Sequence, residues 1–322
     1  RLMAINKSYI RFLIMKKTFY FLLLLPFLFA FGKNQKPQHS KYLTKHYVKV
    51  PAGKVHMNSQ GDNRLLTKAK ELGLDSTAKR AYIRGLDSCS EFYVASTEVT
   101  NIQWKEFLMY LKQEGRMEEY RDNILDTTVW RHLLAYNEPF VDYYYQHKAY
   151  SEYPAVGMTL KQAKAYANWL TEIYALKNQE VKITFSVPTK KQWIRAARGE
   201  NISLYPWGGP YVRNSKGAYL TNFKNYDAAN IHYNTEINKY EVISMSQFMD
   251  GAIITAPAES YYPNKFGIYN MSGNVAELVS DDTVAMGGSW NDTGYDVRVE
   301  SEQPATQPKS TIGFRMVVTI EE

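Results

Sequence analysis

From about residue 200 onward the chain carries almost no hydrophobic periodicity, and Gly and Asn are frequent. So long a stretch without a 3.6- or 2-residue repeat excludes a helical bundle or a regular barrel. No internal repeat is visible, which removes the solenoid architectures. What remains is an irregular region of short strands, which needs extra ties such as bound ions. Ahead of it the signals are ordinary. Tyr47–Val50, then Pro51-Ala52-Gly53, then Lys54–Met57 reads as a hairpin. Residues 62–80 are helix-like and highly charged, and Phe92–Ala95 is a short strand. Thr100 caps a helix from Asn101 to about Lys112; Thr159 precedes one with apolar Ala163, Tyr166, Ala167 and Leu170; Thr189 caps a third with Trp193, Ala196 and Ala197 on one face. Residues 115–150 are aromatic-rich without a clean period and read as an ordered insertion. The expected class is α+β, an irregular single domain.

The beginning of the chain is read separately. Met15-Lys16-Lys17 is followed by an apolar run, Phe19 to Phe31, broken only by Pro26, which describes a secretory signal peptide rather than a membrane span. Residues 1–14 are expected to be upstream sequence, 15–32 the signal peptide, 33–45 a polar linker, and 46–322 the domain. Lys+Arg number 39 against 32 Asp+Glu; five of the basic residues lie in the first 32 positions, which hold no acid, leaving 34 against 32, or +2. The basic excess therefore belongs to the leader and gives no footprint for nucleic acid. Leu28-Phe29-Ala30-Phe31-Gly32 is similar to a lipobox, with Phe31 where a lipidated cysteine would stand. The expected location is exported: periplasmic or secreted, or outer-membrane associated. The single cysteine, Cys89, excludes an internal disulfide and a CxxC metal site.

Seven segments, in order, carry a resemblance. They are Thr97-Glu98-Val99-Thr100-Asn101, Tyr153-Pro154-Ala155-Val156-Gly157-Met158-Thr159, Val187-Pro188-Thr189 through Arg198-Gly199, Tyr205-Pro206-Trp207-Gly208, Pro263-Asn264 through Glu277, Gly287-Gly288-Ser289-Trp290 and Gly313-Phe314-Arg315. Together they resemble the sulfatase-modifying-factor family, typified by the formylglycine-generating enzyme, whose fold is a variant of the C-type lectin fold. The insertion with Trp130, Asn137-Glu138-Pro139 and Tyr143-Tyr144, and Asn222-Phe223-Lys224 before Thr255-Ala256-Pro257, resemble the gliding-motility and type IX secretion lipoproteins of Bacteroidetes.

The resemblance implies chemistry that this chain lacks. The family's oxidase holds copper with two cysteine thiolates, soft ligands that suit Cu(I). By resemblance these fall shortly after Trp290, within Asn291–Asp296, where no cysteine stands. No catalytic residue is assigned. A calcium framework survives: the resemblance places one site on the Asn270 side chain, the Gly273 and Val275 carbonyls and the Glu277 carboxylate. A second falls on Asn222, the Phe223 carbonyl, Asp250 and the Ala252 carbonyl. Such oxygen sets suit Ca²⁺. The leading expectation is an exported, non-catalytic cell-envelope scaffold, working with protein partners in type IX secretion or gliding. Trp130, Phe140, Tyr143 and Tyr144 are its candidate interface, because Tyr and Trp are enriched at interfaces. Two alternatives stay open: a formylglycine-type oxidase with an altered metal site, and a Ca²⁺-dependent carbohydrate-binding module.

Overall fold

The computed structural model describes residues 43, 45–58, 63–83, 85–131, 137–177, 182–225, 231–242 and 252–321. The leader and the lipobox-like segment lie outside them. Residues 45–321 belong to one compact unit. In chain order the elements are β1 (Tyr47–Val50), β2 (Gly53–His56), helices α1 (Asn63–Glu71) and α2 (Ser76–Ile83), β3 (Leu86–Cys89), β4 (Phe92–Ala95), α3 (Asn101–Gln113) and α4 (Met117–Asp122). A 3₁₀ turn at Thr127–Trp130 leads to α5 (Glu138–Gln146), α6 (Leu160–Lys177), β5 (Lys182–Ser186) and α7 (Lys190–Arg198). Then come short strands only: β6 (Ile231–Asn234), β7 (Lys239–Val242), β8 (Ala276–Leu278), β9 (Val284–Met286), β10 (Glu302–Pro304), β11 (Ile312–Gly313) and β12 (Val317–Glu321).

The main sheet runs β1-β4-β12-β5 and is antiparallel, so the last strand lies between two early ones. Its apolar positions face a core of Val50, Phe92, Val94, Trp193, Ile194, Met271 and Val317, all buried. Thr189 caps α7 by accepting from the Gln192 N–H. The Gln103 side chain accepts from the Thr100 N–H at 2.9 Å at the start of α3. Helix α6 is tied to β5 through Thr171, whose hydroxyl accepts from Phe185 N (2.9 Å) and donates to Ala167 O (3.0 Å). Trp104 on α3 stacks on Tyr166 of α6 at 5.5 Å and meets Phe314 edge-on. A second sheet, β10-β9-β8-β11, pairs β8 with β11 in parallel, setting Gly313 opposite Glu277.

Two expectations need correction. Tyr47–Val50 and Lys54–His56 are strands but do not form a hairpin: β1 pairs with β4 and β2 with β3. The reason is Arg195, a buried guanidinium that donates to Pro51 O (2.9 Å) and Lys54 O (3.0 Å), spreading the turn between two sheets. The described part of the insertion is ordered as expected, but its larger aromatics turn inward to the core. Trp130 and Tyr144 are 3% and 1% exposed, packed with Val156, Ile254 and Val275, and Phe140 is half-buried beside them. Of the four aromatics read as an interface only Tyr143 is exposed. The Tyr144 hydroxyl, which would be costly to bury unpaired, donates to Pro154 O at 2.7 Å and lies 2.8 Å from Thr255 Oγ1.

Candidate functional site

The seven motifs, far apart in sequence, meet around a buried polar hub. Backbone pairing brings them together: Val99 N donates to Phe314 O (2.9 Å), Ala155 N to Val99 O (2.8 Å) and Asn101 N to Tyr153 O (2.9 Å). Asn101 also clamps the insertion, its Nδ2 donating to the Tyr144 and Tyr150 carbonyls at 3.2 and 2.9 Å. Trp130 of the insertion stacks on Trp290 at 6.0 Å.

At the hub's centre Glu277 and Arg315 are both fully buried and paired two-to-two, at 2.6 Å (Nε–Oε2) and 2.5 Å (Nη2–Oε1). Trp193 Nε1 donates to the same carboxylate at 2.7 Å. Arg315 uses two more donors on Ala95 O (3.1 Å) and Tyr269 O (2.8 Å). A buried ion pair is tolerated only when its leftover hydrogen-bonding capacity is filled in this way.

Glu98 is the other buried carboxylate, 1% exposed, with amides for partners: Asn274 Nδ2 at 2.9 Å and Asn270 Nδ2 at 3.2 Å. Burial pushes its pKa up to about 7; Arg315 pulls it down and Glu277 pushes it up, both less strongly. Asn274 is a four-way connector. Its Oδ1 accepts from Ala256 N (2.8 Å) and Asn222 Nδ2 (3.3 Å), and its Nδ2 also reaches Ala256 O (3.3 Å). Asn270 and Asn274 sit at φ of 54° and 62°, a left-handed backbone that Asn tolerates better than other side chains. Gly273 between them, at φ 70°, has no such latitude: a Cβ there would lie 2.2 Å from Asn222 O. Gly288 is confined likewise, its would-be Cβ 2.3 Å from Asp296 O.

The residues expected to ligate calcium are thus brought together in part. Asn222, Asn270, Gly273, Val275 and Glu277 share the hub, and the Asn222 side chain reaches Asn274 and Ile254 O (2.8 Å). Phe223 puts its ring into a buried cluster with Tyr205, Tyr219 and Val297. Ala252 is half-buried, and Asp250 lies outside the described residues. Glu277 faces Arg315 instead of an open site. Both its oxygens are engaged, and a guanidinium against them repels a second cation. The residue that fits a hard cation is Asn270, whose Oδ1 is buried without a hydrogen-bond partner, as is Ser272 Oγ. Both residues line a cavity of about 10 Å³, the space of roughly one water-sized sphere. Glu98 is engaged as well, its two oxygens accepting from Asn274 Nδ2 and Asn270 Nδ2, but from amides rather than from a guanidinium. In sequence the only mark on Glu98 and Arg315 is that each is the lone charge of its motif.

The loop after Trp290, where the resemblance expects two thiols, carries Asp292. Its Oδ2 accepts from Ser289 N at 2.8 Å and from Ser289 Oγ and Gln303 Nε2. Cys89 lies on β3, buried in the core cluster with Trp193, and burial raises its thiol pKa. Among the described residues no group of three or more His, Cys, Asp or Glu side chains is placed to hold a metal. None of the described helices is long and apolar enough to cross a membrane.

The sheet order, the irregular second half and this hub define an α+β domain of the formylglycine-generating-enzyme type. Residues 33–320 match the sulfatase-modifying factor enzyme 1-like domain, and the chain belongs to that family. Curated relatives named formylglycine-generating enzyme are similar over a shorter stretch. The protein from Thermomonospora curvata is 28% identical over 133 residues, covering 40% of this chain and 33% of its own length. The one from Streptomyces coelicolor is 30% identical over 130 residues, covering 40% and 32%. The matched stretch thus spans about a third of those relatives. Among solved structures, PvdO from Pseudomonas aeruginosa superposes with a TM-score of 0.52 at 20% identity, covering 84% of this chain and 93% of its own. CarF gives 0.50 at 18% identity, covering 84% and 97%. These last two likenesses speak to fold alone.

Proposed function

We propose that the protein is an exported member of its family that does not oxidise cysteine and acts as a structural scaffold in the cell envelope. The observation that carries this reading is the thiol count. One cysteine, buried on β3, cannot supply a pair of soft ligands, and the loop after Trp290 holds an aspartate tied to its own neighbours. The hub supports it too, because its carboxylates and guanidinium are nearly or fully buried and bonded to one another, to buried amide and indole side chains or to backbone rather than turned to a substrate. Export rests on the Met15–Gly32 leader. Assignment to type IX secretion or gliding rests on the insertion motifs, whose aromatics mostly serve the core.

Calcium in this reading is structural. The Asn270 amide oxygen and the Glu98 carboxylate would hold it, with the Gly273 and Val275 carbonyls, Glu98 exchanging amide donors for a cation. The test of the main reading is direct. Incubated with Cu(I) and a sulfatase-motif peptide carrying cysteine, the protein should yield no aldehyde above a no-enzyme control. Turnover would overturn the scaffold reading and restore the oxidase.

A further inference from the structure

Among the described strands β6 and β7 pair only with each other, as an antiparallel hairpin. The register sets Tyr233 opposite Tyr240 and His232 opposite Glu241. Alternation along each strand sorts the side chains onto two faces. On one face the Tyr233 and Tyr240 rings meet edge-on at 5.0 Å, 48% and 74% exposed. On the other, Asn234 Nδ2 donates to Glu241 Oε2 at 2.9 Å, and by alternation Lys239 shares that face. The turn between the strands is pinned. Asn234 Oδ1 accepts from Glu236 N at 2.9 Å, and the Tyr233 hydroxyl donates to Asn238 Oδ1, where the backbone bends at φ 55°. The hairpin is thus fixed within itself, yet it holds two aromatic rings in water. Two strands alone are marginally stable at best, and further strands on the edge stabilise them.

The outer edge of β7 is the open one, with Lys239, Tyr240 and Glu241 all exposed. A strand edge with unpaired N–H and C=O groups is a template for another strand. The side chains on this edge decide which strand fits. Laid antiparallel on a second copy of itself about a two-fold axis at Tyr240, β7 sets Tyr240 against its counterpart and Lys239 against Glu241, twice over. Sliding the pair by two residues would oppose Lys239 to Lys239 or Glu241 to Glu241. Sliding it by one would put Tyr240 across from a charge and mix the two faces. Opposite charges directly across a ladder stabilise it and like charges destabilise it, so one register is favoured over its neighbours. Strand β6, Ile231-His232-Tyr233-Asn234, holds no acid and offers no such match. From this self-complementary edge we infer that the protein forms a two-fold symmetric dimer through β7. The two hairpins join as one four-stranded sheet, with four tyrosines in a row on one face and two Lys–Glu pairs on the other. An isologous contact of this kind uses the same patch on both copies. It does not rest on the scaffold reading.

Sedimentation equilibrium on the full chain, at about 10⁻⁵ to 10⁻³ M, tests the dimer. The wild type should reach twice the chain mass within that range. Lys239→Glu and Glu241→Lys should each weaken association by about tenfold or more, because each opposes like charges twice. Mixed in equal amounts, these two variants should associate again, since every opposed pair is then Lys against Glu. Tyr240→Thr keeps a strand-forming residue and removes the ring, and should weaken the dimer too. Tyr211→Thr, at an exposed tyrosine outside the hairpin, should leave it unchanged. Melting curves show whether each variant is folded, and Tyr240→Thr carries the test if a charge reversal perturbs the turn. A wild type that stays monomeric would leave the edge to a strand of another protein and overturn the assignment. A dimer indifferent to Lys239→Glu and Tyr240→Thr would lie on another surface and overturn it equally. Charge variants that remain monomeric when mixed would contradict the register and the assignment with it. None of these outcomes bears on cysteine oxidation, so this inference and the scaffold reading fail separately.

Discussion

Residues 86–198 and residues 254–316 lie in one compact unit and are held by different physics. In the first region strands and capped helices present apolar faces, and aromatic rings such as Trp104, Phe107 and Tyr166 fill the space between them. In the second, strands are two or three residues long, and the chain is fixed by side chains that bind backbone: Asn222, Asn264, Asn270, Asn274 and Arg315. A periodic region loses stability gradually as methylenes are trimmed. A region hung on a few polar connectors loses it abruptly, because each deletion leaves a partner buried and unpaired.

The sharpest break of that contrast is Arg315→Met. It strands the Glu277 charge in the core and should cost about 3–5 kcal/mol, read as a fall in the denaturant midpoint. An Ala substitution at Leu111, fully buried on α3, should cost about 2–5 kcal/mol by cavity formation alone. A larger loss at Leu111 than at Arg315 would erase the distinction. Next in size comes the calcium effect. If the ion binds only the native state, a concentration about 100 times Kd adds roughly 2.7 kcal/mol, a few degrees of Tm in a domain of this size. Chelation should lower Tm, and Glu98→Gln should abolish the response. A Tm that ignores both calcium and chelator removes the ion from the account.

Asn101→Ala should release the insertion from α3, freeing the Tyr144 and Tyr150 carbonyls, and cost about 1–3 kcal/mol. Hydrogen exchange should accelerate in α5 and leave the main sheet protected. Uniform acceleration would mean the insertion does not open separately. The smallest effect is at His46. Burial lowers its pKa below the ordinary 6.5, with Lys45 adding to the shift. The native state therefore binds fewer protons than the unfolded chain, and the stability His46 contributes is present above about pH 6.5 and lost as pH falls through its folded value. Between pH 7 and pH 5.5 the wild type should lose a little more stability than His46→Gln. Equal slopes would place His46 in an unperturbed setting.

The sequence was most legible where burial is periodic. Thr159 and Thr189 announced their helices, and Trp193, Ala196 and Ala197 took the buried face as spaced. Tyr47–Met57 misled because the partners of its two strands lie some 40 residues on, and because Arg195, which spreads the turn, follows 140 residues later. The motifs marked the second region without revealing its wiring. An isolated Glu98, Glu277 or Arg315 has no period, and which carboxylate meets the guanidinium is decided by the parallel pairing of β8 with β11. In sequence Glu277 stands as an uncommitted carboxylate, and only the fold shows the guanidinium against it.

The central claim is that the motif cluster is a self-satisfied structural hub rather than a poised reaction centre. A double-mutant cycle on Glu277→Gln and Arg315→Met, followed by urea unfolding, measures it most directly. Each single change should cost about 3–5 kcal/mol, and the double variant should fall well short of their sum, giving a coupling of about 1–3 kcal/mol. Singles under about 1 kcal/mol that simply add would mean the pair holds nothing together. The buried carboxylate would then have to be explained by a role other than structure.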